Sequence, residues 1–403
     1  MHPKVKFILI SFIMYILLIL ILFLPKAFAQ VDLEINDNML VETTGNLSIE
    51  VSGDVIENGT GYLNGTVTSG DRASVSQFAG LTLSSALNGN ITRVTGTQFS
   101  GTGTNFTRYY EINNLSTSTD LTADVTTLTK SSEHSGLTGP FFHYTKNGSA
   151  WKGYGFGSTT DTVKSSGDVF IQNSVTDLVI SEGVGVKAKI FLEGPYNTST
   201  HLMNTTINDS IPAKSPYTAD ARTTTSKPST AVDWVLVELR SSSSPGTVIA
   251  SRSAYLNSDG NLIDDNATSG RGIGIAAAPG DYYVAIKHRN HLAVMSKAAL
   301  SGLTWGTAST VTSYNFASDS SKFYGSGAGV KEVESGVWAM IAGDGNGNGQ
   351  VQNNDSESIW KPDNGTAGYK NSDFNLNGQV QNNDNEIYWK QNNGRGTQVP
   401  SLP

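Results

Sequence analysis

Short runs of alternating apolar and polar residues recur along the chain, and this period of two is the pattern of half-buried β-strands. A strand over Val186–Leu192 would have one apolar face, formed by residues 186, 188, 190 and 192. Tyr282–Ile286 alternates in the same way. Val232–Leu239 is instead apolar on both faces, which fits a buried central strand. We therefore predict an immunoglobulin-like sandwich in this part of the chain.

Further strands are predicted nearer the N-terminus. Leu47–Val51 and Tyr62–Val67 are short β-prone runs between turn-forming residues, and Thr107–Ile112 follows later. The segment from Phe141 to Trp151 has the pattern of a hairpin, because its Asn147-Gly148 pair favours a type I′ turn. Long helical patterns are scarce, so the sequence predicts a mainly β protein with tandem β-sandwich (immunoglobulin-like) domains.

The length of the chain suits several domains. The stretch after residue 30 is either one or two rungs of a β-solenoid or a strand pair added to the next domain, since fewer than three rungs seldom stand alone. The predicted division is a signal peptide at 1–29, a short solenoid-like or strand region at 30–70, a β-sandwich at 71–180, an immunoglobulin-like sandwich at 181–335 and a small loop-helix module at 336–403.

The N-terminus has the order of a secretory signal peptide. Basic Met1–Lys6 precedes the apolar run Phe7–Leu24, and Ala27-Phe28-Ala29 offers a small-residue cleavage site before Gln30. Cleavage there predicts an extracellular or cell-surface protein with no membrane span. The apolar run is also just long enough for an uncleaved anchor, so that alternative stays open.

Composition and charge narrow the possible partners. The chain has no cysteine, so the exported form has no disulfides and depends on core burial and bound ions for stability. Removal of the signal, with three lysines, takes the formal net charge from −8 to −11. A strongly negative protein is repelled by phosphate backbones and anionic lipids, which argues against nucleic-acid and membrane partners.

Two nearly identical loops of twelve residues near the C-terminus, Asp344–Asp355 and Asp373–Asp384, carry the clearest candidate chemistry. Oxygen-bearing side chains stand at loop positions 1, 3, 5, 9 and 12, and glycine stands at position 6, where a chain turns sharply around an ion. The residue at position 7 would add its backbone carbonyl. The predicted ligands of two calcium ions are Asp344, Asn346, Asn348, Gln350, Gln352 and Asp355 in the first loop and Asp373, Asn375, Asn377, Gln379, Gln381 and Asp384 in the second.

The loops belong to a longer repeat with a 29-residue offset, which also relates Trp360 to Trp389. That period fits a loop followed by one short helix, with Asn353 or Asn382 as the N-cap. Pro362 is expected to end the first helix. The tryptophans are expected to pack between the two helices.

This duplicated unit, roughly residues 340–400, resembles a dockerin module, the loop-helix pair that bacterial secreted proteins often carry at the C-terminus. The resemblance implies that the aspartates and asparagines of both loops ligate calcium. In dockerins, loop positions 10 and 11 help to recognise a cohesin partner. Here they are Asn353-Asn354 and Asn382-Asn383 instead of the common Ser-Thr pair, so the resemblance extends to calcium but not to cohesin binding.

The preceding domain also resembles a recurrent module that lies just before such repeats in large bacterial surface proteins. The resemblance rests on Phe191–Tyr196, Asp233–Leu239 and Pro279–Leu292. It implies an exported surface architecture and no particular reaction.

Each loop has only two carboxylates, so we expect weak calcium binding, toward the range of about 10⁻⁴–10⁻³ M of extracellular modules. The alternative is that both loops are Asn-Gly-rich turns without a metal, but this does not explain the aspartate at position 12 or the presence of two copies of the loop. Because the module has few apolar residues, calcium is expected to fold it, and chelation is expected to unfold it while the β-domains stay intact.

An aromatic cluster is a second candidate site. It would either stack on sugar rings or pack as core and cross-strand pairs. Its members are Phe142, Tyr144, Trp151, Tyr154 and Phe156.

Other motifs favour structural roles. His288 and His291 lie at i and i+3, on opposite faces of an extended strand, so joint metal ligation would need a turn. Asp259-Gly260-Asn261, followed by Asp264-Asp265, fits a hairpin turn better than another calcium site. The sequence has no nucleophile elbow, His-Glu-x-x-His motif or phosphate-binding glycine loop, although the paired carboxylates of a glycoside hydrolase would leave no motif.

These patterns leave three classes of function. The first is a non-catalytic secreted or surface protein, structural or adhesive, with a calcium-stabilised C-terminal module. The second is a carbohydrate-binding or dockerin-type accessory of an extracellular polysaccharide-degrading system. A glycosidase is the third, and the lack of a catalytic-sized domain counts against it. The expected partners beyond calcium are an extracellular glycan or another surface protein.

Overall fold

The computed structural model describes residues 32–400 except 38, 44–47, 71, 101–104, 115–120, 138, 140, 148–149, 159–160, 172–174, 225–226, 265–271 and 306–310. The predicted signal peptide lies outside these residues. The protein is mainly β, as the alternation predicts, with tandem β-sandwich domains and a small C-terminal loop-helix module. In the part of the chain that the structure covers, no helix is long and apolar enough to cross a membrane.

The strands of the N-terminal half are β1 (Leu33–Ile35), β2 (Leu40–Glu42), β3 (Ser48–Glu50), β4 (Val55–Glu57), β5 (Tyr62–Thr68), β6 (Arg72–Phe78), β7 (Leu81–Thr95), β8 (Arg108–Asn114), β9 (Leu121–Leu128), β10 (Phe141–Asn147), β11 (Ala150–Ser158), β12 (Thr162–Ile171) and β13 (Val175–Glu182). Those of the C-terminal half are β14 (Val184–Lys189), β15 (Phe191–Leu192), β16 (Tyr196–Asn197), β17 (Leu202–Met203), β18 (Ala231–Ser241), β19 (Val248–Asn257), β20 (Leu262–Ile263), β21 (Ile273–Ile275), β22 (Gly280–Lys287), β23 (Val294–Met295), β24 (Leu300–Leu303), β25 (Ser313–Asn315), β26 (Val330–Glu334) and β27 (Val337–Met340).

Helical structure is short. Single 3₁₀ turns lie at Ser131–Glu133, Asn208–Ser210, Thr218–Asp220, Phe316–Ser318, Ser320–Lys322 and Tyr324–Gly327. Helix α1 begins at residue 353 and has a wide π-type part, Asp355–Trp360, followed by the α-helical turn Lys361–Asp363. Helix α2 repeats this as Asp384–Trp389 and Lys390–Asn392.

The first strands stack in parallel. β1 pairs with β4 so that Leu33 faces Val55, and β2 pairs with β5 at the same 22-residue offset. Asn58 donates a hydrogen bond to Asn36, which lies 22 residues earlier, at 2.8 Å. Parallel stacking at a fixed offset is the geometry of a solenoid rung. However, β5 also pairs antiparallel with β7 of the following sheet, so the rung is continuous with the next domain.

The first sandwich is organised by the long strand β7. Its C-terminal part pairs with β8, and its N-terminal part pairs with β9, so one strand takes part in both pairings. Alternate residues of β7 are buried, as the period of a half-buried strand requires. The core of this sandwich includes Phe78, Leu81, Ile91, Ile112 and Val125.

The predicted hairpin is present as β10 and β11, which pair with Asn147 opposite Ala150. The turn between them lies outside the described residues. The side chains of Phe142, Tyr144 and Tyr154 are buried, and the Tyr144 hydroxyl donates to the Glu182 carbonyl at 3.0 Å. These three rings therefore pack inside the protein and offer no face to a sugar.

A buried cluster of ion pairs joins the first sandwich to the N-terminal rung. Arg108 donates to Glu133 through Nε (2.9 Å) and Nη2 (2.6 Å) and contacts Glu57 at 3.1 Å. Arg93 contacts the same Glu57 carboxylate at 3.0 Å. Nearly complete burial of both arginines and of Glu133 makes each charge depend on its partners.

The second sandwich has a sheet in the order β20-β19-β18-β22-β23, with β24 also on β22. Strand β18 is buried along Ala231–Arg240, which confirms the prediction of a central strand with two covered faces. Trp234 stacks on Tyr255 of the neighbouring strand with ring centroids 4.0 Å apart.

Two elements cross the predicted domain boundaries. Strand β13 runs from Val175 to Glu182 and passes residue 180, and the hairpin of β26 and β27 passes residue 335. Strand β27 also pairs in parallel with β15, so the segment before the first loop is a strand of the second sandwich. The boundaries themselves stay predictions.

Candidate metal centre

The two C-terminal loops have matching hydrogen bonds around their first and last aspartates. In the first loop, Asp344 accepts from the backbone N–H groups of Asn348 (3.0 Å) and Gly349 (2.9 Å). Asp355 accepts from the N–H groups of Asn346 (3.1 Å) and Gln352 (2.7 Å). Each carboxylate is thereby held across its own loop while lone pairs remain for another partner.

The second loop repeats the arrangement. Asp373 accepts from the N–H groups of Asn377 (3.1 Å) and Gly378 (2.8 Å). Asp384 accepts from the N–H groups of Asn375 (3.1 Å) and Gln381 (2.8 Å). The oxygens at loop positions 1 and 12 are therefore ordered by the same local geometry in both repeats.

The amide side chains at positions 3 and 5 also shape the turn. In the first loop, Asn346 Oδ1 accepts from Asn348 N–H at 3.0 Å, and Asn348 Oδ1 accepts from Gln350 N–H at 2.9 Å. The second loop has the same two bonds at Asn375 and Asn377. Among the described residues, no corresponding hydrogen bond orders the glutamine side chains at position 9, Gln352 and Gln381.

Burial makes the aspartates costly to ionise without a nearby cation. Burial, with a contribution from the charge of Asp355, raises the pKa of Asp344 to about 6 against the lowering effect of the backbone N–H bonds. In the second loop burial likewise raises the pKa of Asp373 to about 6, with Asp384 adding to the increase. A divalent cation bound by each pair would remove this cost.

The loops need positive φ at two positions. Position 6 is glycine in both, with φ of +86° at Gly349 and +81° at Gly378. Position 4 is Gly347 in the first loop, but it is Leu376, at φ +56°, in the second. A left-handed leucine is unfavourable by about 1–2 kcal/mol, and its complete burial in the core of the second sandwich offsets this cost.

Each loop pairs with the segment that follows the helix of the other repeat. Val351 N–H donates to the Arg395 carbonyl at 2.9 Å, and Val380 N–H donates to the Thr366 carbonyl at 2.9 Å. The two tryptophans cross between repeats as well: Trp360 Nε1 donates to Gln381 O (3.0 Å) and Trp389 Nε1 to Gln352 O (2.8 Å). The repeats thus form one closed unit.

The helix boundaries differ from those predicted. Asn353 and Asn382 already have helical backbone, so they are not N-caps. The N-termini of the helices are capped instead by Asp355 and Asp384. Their carboxylates accept hydrogen bonds from the backbone N–H groups of Gln352 and Gln381, which lie just before each helix. The first helix also continues one residue past Pro362.

The second loop is attached to the second sandwich through a buried polar network. Asn290 Nδ2 donates to the backbone carbonyls of Asp373 (2.7 Å) and Asn371 (3.1 Å).

The buried Asp233 carboxylate is the centre of the second part of this network. Tyr369 donates its hydroxyl to Asp233 at 2.6 Å, and Arg289 Nε donates to the same carboxylate at 2.8 Å. Burial would raise the pKa of Asp233, but Arg289 and hydrogen bonds from His288 and Tyr369 bring it to about 2.

The backbone of the second loop also packs directly on Gly194. A methyl group at Gly194 would lie within 3.0 Å of the Phe374 carbonyl oxygen and 2.9 Å from the Asn375 Cα. The Tyr388 hydroxyl donates to the Gly194 carbonyl at 3.1 Å. This contact requires glycine because it joins two stretches of backbone without an intervening side chain.

Apolar contacts continue the attachment. Leu376 is part of the core of the second sandwich, and Val351 packs with Leu292 and Ile341, against which Trp389 lies. Phe374 is completely buried, whereas Ile387 is 49% exposed. Sequence periodicity misses Phe374 and Leu376 because they lie inside a loop, not on a helix face.

Two other candidates have structural partners. His288 Nε2 lies 3.1 Å from Asp233, and His291 Nδ1 lies 2.8 Å from Asn290 Oδ1, which places both histidines in the interface network. Asp259 accepts from Asn261 N–H at 3.0 Å in the turn between β19 and β20, as a hairpin turn requires. Its predicted companion Asp264 pairs with Arg252. Asp265 lies outside the described residues.

Within the described ranges, no group of three or more His, Cys, Asp or Glu side chains is placed to hold a metal. Each C-terminal loop has only two such side chains, and its other candidate ligands are amides and a backbone carbonyl. The donor set is therefore of the oxygen-only, low-charge kind that suits calcium and not a transition metal.

Comparisons with known proteins give no family. No family model matches the chain, and no curated protein matches it. Among solved structures, the chain is similar to the crystal structure of a mutant type II cohesin–X–dockerin complex from Acetivibrio cellulolyticus, at 15% identity and a TM-score of 0.27, over 53% of this chain and 98% of that chain. A TM-score this low carries no argument about fold or function.

Proposed function

We propose that the chain is an exported, non-catalytic structural or adhesive protein whose C-terminal loops bind two calcium ions. In this proposal the ions order the loop-helix module and hold it on the second sandwich. The sandwiches form the extracellular working part, and their partner is another surface protein or an extracellular glycan.

The observation that carries the proposal is the repetition of one loop geometry at two places. Both loops hold an aspartate at position 1 and another at position 12 by backbone N–H groups, with positive φ at positions 4 and 6. Burial raises the pKa of the first aspartate of each loop to about 6. Such a pair of carboxylates is stabilised by a divalent ion.

Calorimetry on the full chain tests the calcium sites. We expect two ions to bind weakly, toward about 10⁻⁴–10⁻³ M. Asp344→Ala and Asp373→Ala should each remove or strongly weaken one site, since each takes away half of the carboxylates of its loop. Asp259→Ala, in the hairpin turn, is the control and should retain both sites. Absence of binding at millimolar calcium would refute the proposal.

The carbohydrate-binding alternative loses part of its support. Three of the five aromatic residues on which it rested are buried, and the side chains of Trp151 and Phe156 lie outside the described residues. A glycan-array screen of the calcium-loaded protein distinguishes the two partner classes, because an adhesive protein that recognises another protein should give no glycan signal above background.

A further inference from the structure

A polar triad joins the C-terminal module to the second sandwich outside both loops. Glu193 follows strand β15, Lys331 lies in β26, and Asn392 is the last residue of α2. The Glu193 carboxylate accepts from Lys331 Nζ through Oε1 and from Asn392 Nδ2 through Oε2 at 2.7 Å. Lys331 Nζ also lies 3.5 Å from Asn392 Oδ1. A carboxylate thus contacts both an amine and a carboxamide that face each other.

The surroundings fix this geometry. Ala342 N–H donates to Glu193 Oε2 at 3.0 Å, and Asn392 Nδ2 donates a second bond to the Ala342 carbonyl at 3.0 Å. The Glu193 and Asn392 residues are 8% and 3% exposed. The Lys331 side chain is 35% exposed and reaches the triad from the surface. Neither carboxylate nor carboxamide can turn away without breaking a buried hydrogen bond.

We propose that Lys331 and Asn392 form an intramolecular amide bond, with Glu193 as the group that transfers the protons. Glu193 takes a proton from the Lys331 ammonium, and the free amine attacks Cγ of Asn392. The new C–N bond forms as the bond from Cγ to Nδ2 breaks. Both protons that the lysine nitrogen gives up pass through Glu193 to the departing nitrogen, which leaves as ammonium.

Proximity supports this reaction. Lys331 Nζ already contacts the Asn392 carboxamide at Oδ1, 3.5 Å away, and the bond from Oδ1 to Cγ is only about 1.2 Å long. A small movement of the lysine side chain therefore brings the amine to the near-attack distance of about 3–3.5 Å from Cγ. Lysine is a nucleophile once it is deprotonated, and a glutamate in contact with it serves as the base. The step needs no oxidant, metal or cofactor, and the protein loses one positive charge with the ammonium.

The bond would give this cysteine-free protein a covalent link between two of its parts. Lys331 and Asn392 are 61 residues apart in the chain. A cross-link that closes a loop of this length restricts the unfolded chain in the way that a disulfide does. The link would keep the module covalently tethered to the sandwich, while the order of the loops and their packing on the sandwich would still depend on the ions.

Mass spectrometry of the full-length chain, purified with calcium, tests the proposal. We expect an intact mass lower by one ammonia, and a protease digest with a branched peptide that joins the Lys331 and Asn392 segments. Lys331→Arg keeps the charge but removes the nucleophile, and Glu193→Gln keeps the size but removes the proton transfer. Both should show the unmodified mass, while Lys287→Arg, an ion-paired surface lysine of the same sandwich, should keep the ammonia loss.

The Asn-Gly sequences of the chain, including Asn393-Gly394 beside Asn392, provide the competing explanation, because an Asn-Gly sequence can lose ammonia by forming a cyclic imide. The imide gives no branched peptide and would persist in Lys331→Arg. An unmodified mass for the full chain, or ammonia loss located only at Asn-Gly sequences, would overturn the cross-link. Lys331→Arg serves as the decisive variant if Glu193→Gln fails to fold.

Discussion

Gly194→Ala tests whether the second loop depends on its contact with the sandwich. The added methyl group would overlap the Phe374 carbonyl and approach Asn375 Cα at 2.9 Å. The first is backbone between the predicted ligands Asp373 and Asn375, and the second belongs to Asn375 itself. Overpacking of this kind costs about 1–3 kcal/mol. If the loop moves to relieve it, that cost appears as weaker calcium binding at the second site, by about 5–150-fold.

Calorimetric titration of the full chain with calcium measures the effect. The atoms nearest to the added methyl group all belong to the second loop, so the affinity of the first loop should change much less. Gly280→Ala is a matched control in the same sandwich, because its methyl group would meet its nearest atom at 3.4 Å, an ordinary contact. Equal affinities in Gly194→Ala, Gly280→Ala and the parent protein would refute the reasoning that the sandwich organises the loop.

Three further predictions concern stability. Leu376→Gly should relieve the left-handed backbone but lose a buried leucine, for a net destabilisation of about 1–4 kcal/mol by denaturant unfolding; an increase in stability would contradict the packing role. Burial lowers the pKa of His288 and His291, so the unfolded chain takes up protons first and stability should fall as the pH drops below about 6.5. Thermal unfolding at constant salt and saturating calcium checks this, because the raised pKa of Asp344 and Asp373 has the opposite effect in the ion-free chain; a flat profile from pH 7 to 5 would exclude it. Glu133→Gln should destabilise the first sandwich by about 3–5 kcal/mol because it leaves the buried charge of Arg108 incompletely paired, and an unchanged melting temperature would show that Glu57 alone suffices.

Local patterns in the sequence predict the individual elements well. The period of two locates β22, the doubly apolar run locates the central strand β18, and Asn147-Gly148 identifies the hairpin of β10 and β11. The predicted strand Val186–Leu192 is found as two strands, β14 and β15, which separate at Ile190 and pair with different partners. These features follow from neighbouring residues, so a single sequence contains them. The repeated loops are visible for the same reason, since their donors are spaced within twelve residues.

The contacts that join distant parts of the chain are not visible in this way. The pairing of Arg108 with Glu57 spans 51 residues, and that of Asn392 with Glu193 spans 199 residues. Patterns of neighbouring residues do not predict such partners, because the overall arrangement of the strands brings them together. Leu376 also escapes prediction, since a left-handed leucine contradicts local propensity and is stabilised only by its tertiary burial.

Hydrogen–deuterium exchange of the full chain, with calcium and with chelator, tests the central claim that calcium orders the module and holds it on the second sandwich. The account predicts that chelation increases exchange at Asn348, Gly349, Asn377 and Gly378, whose N–H groups are held by the first aspartate of each loop. Strand β7 of the first sandwich should exchange equally in both conditions. Identical exchange of the loops with calcium and with chelator would contradict the account.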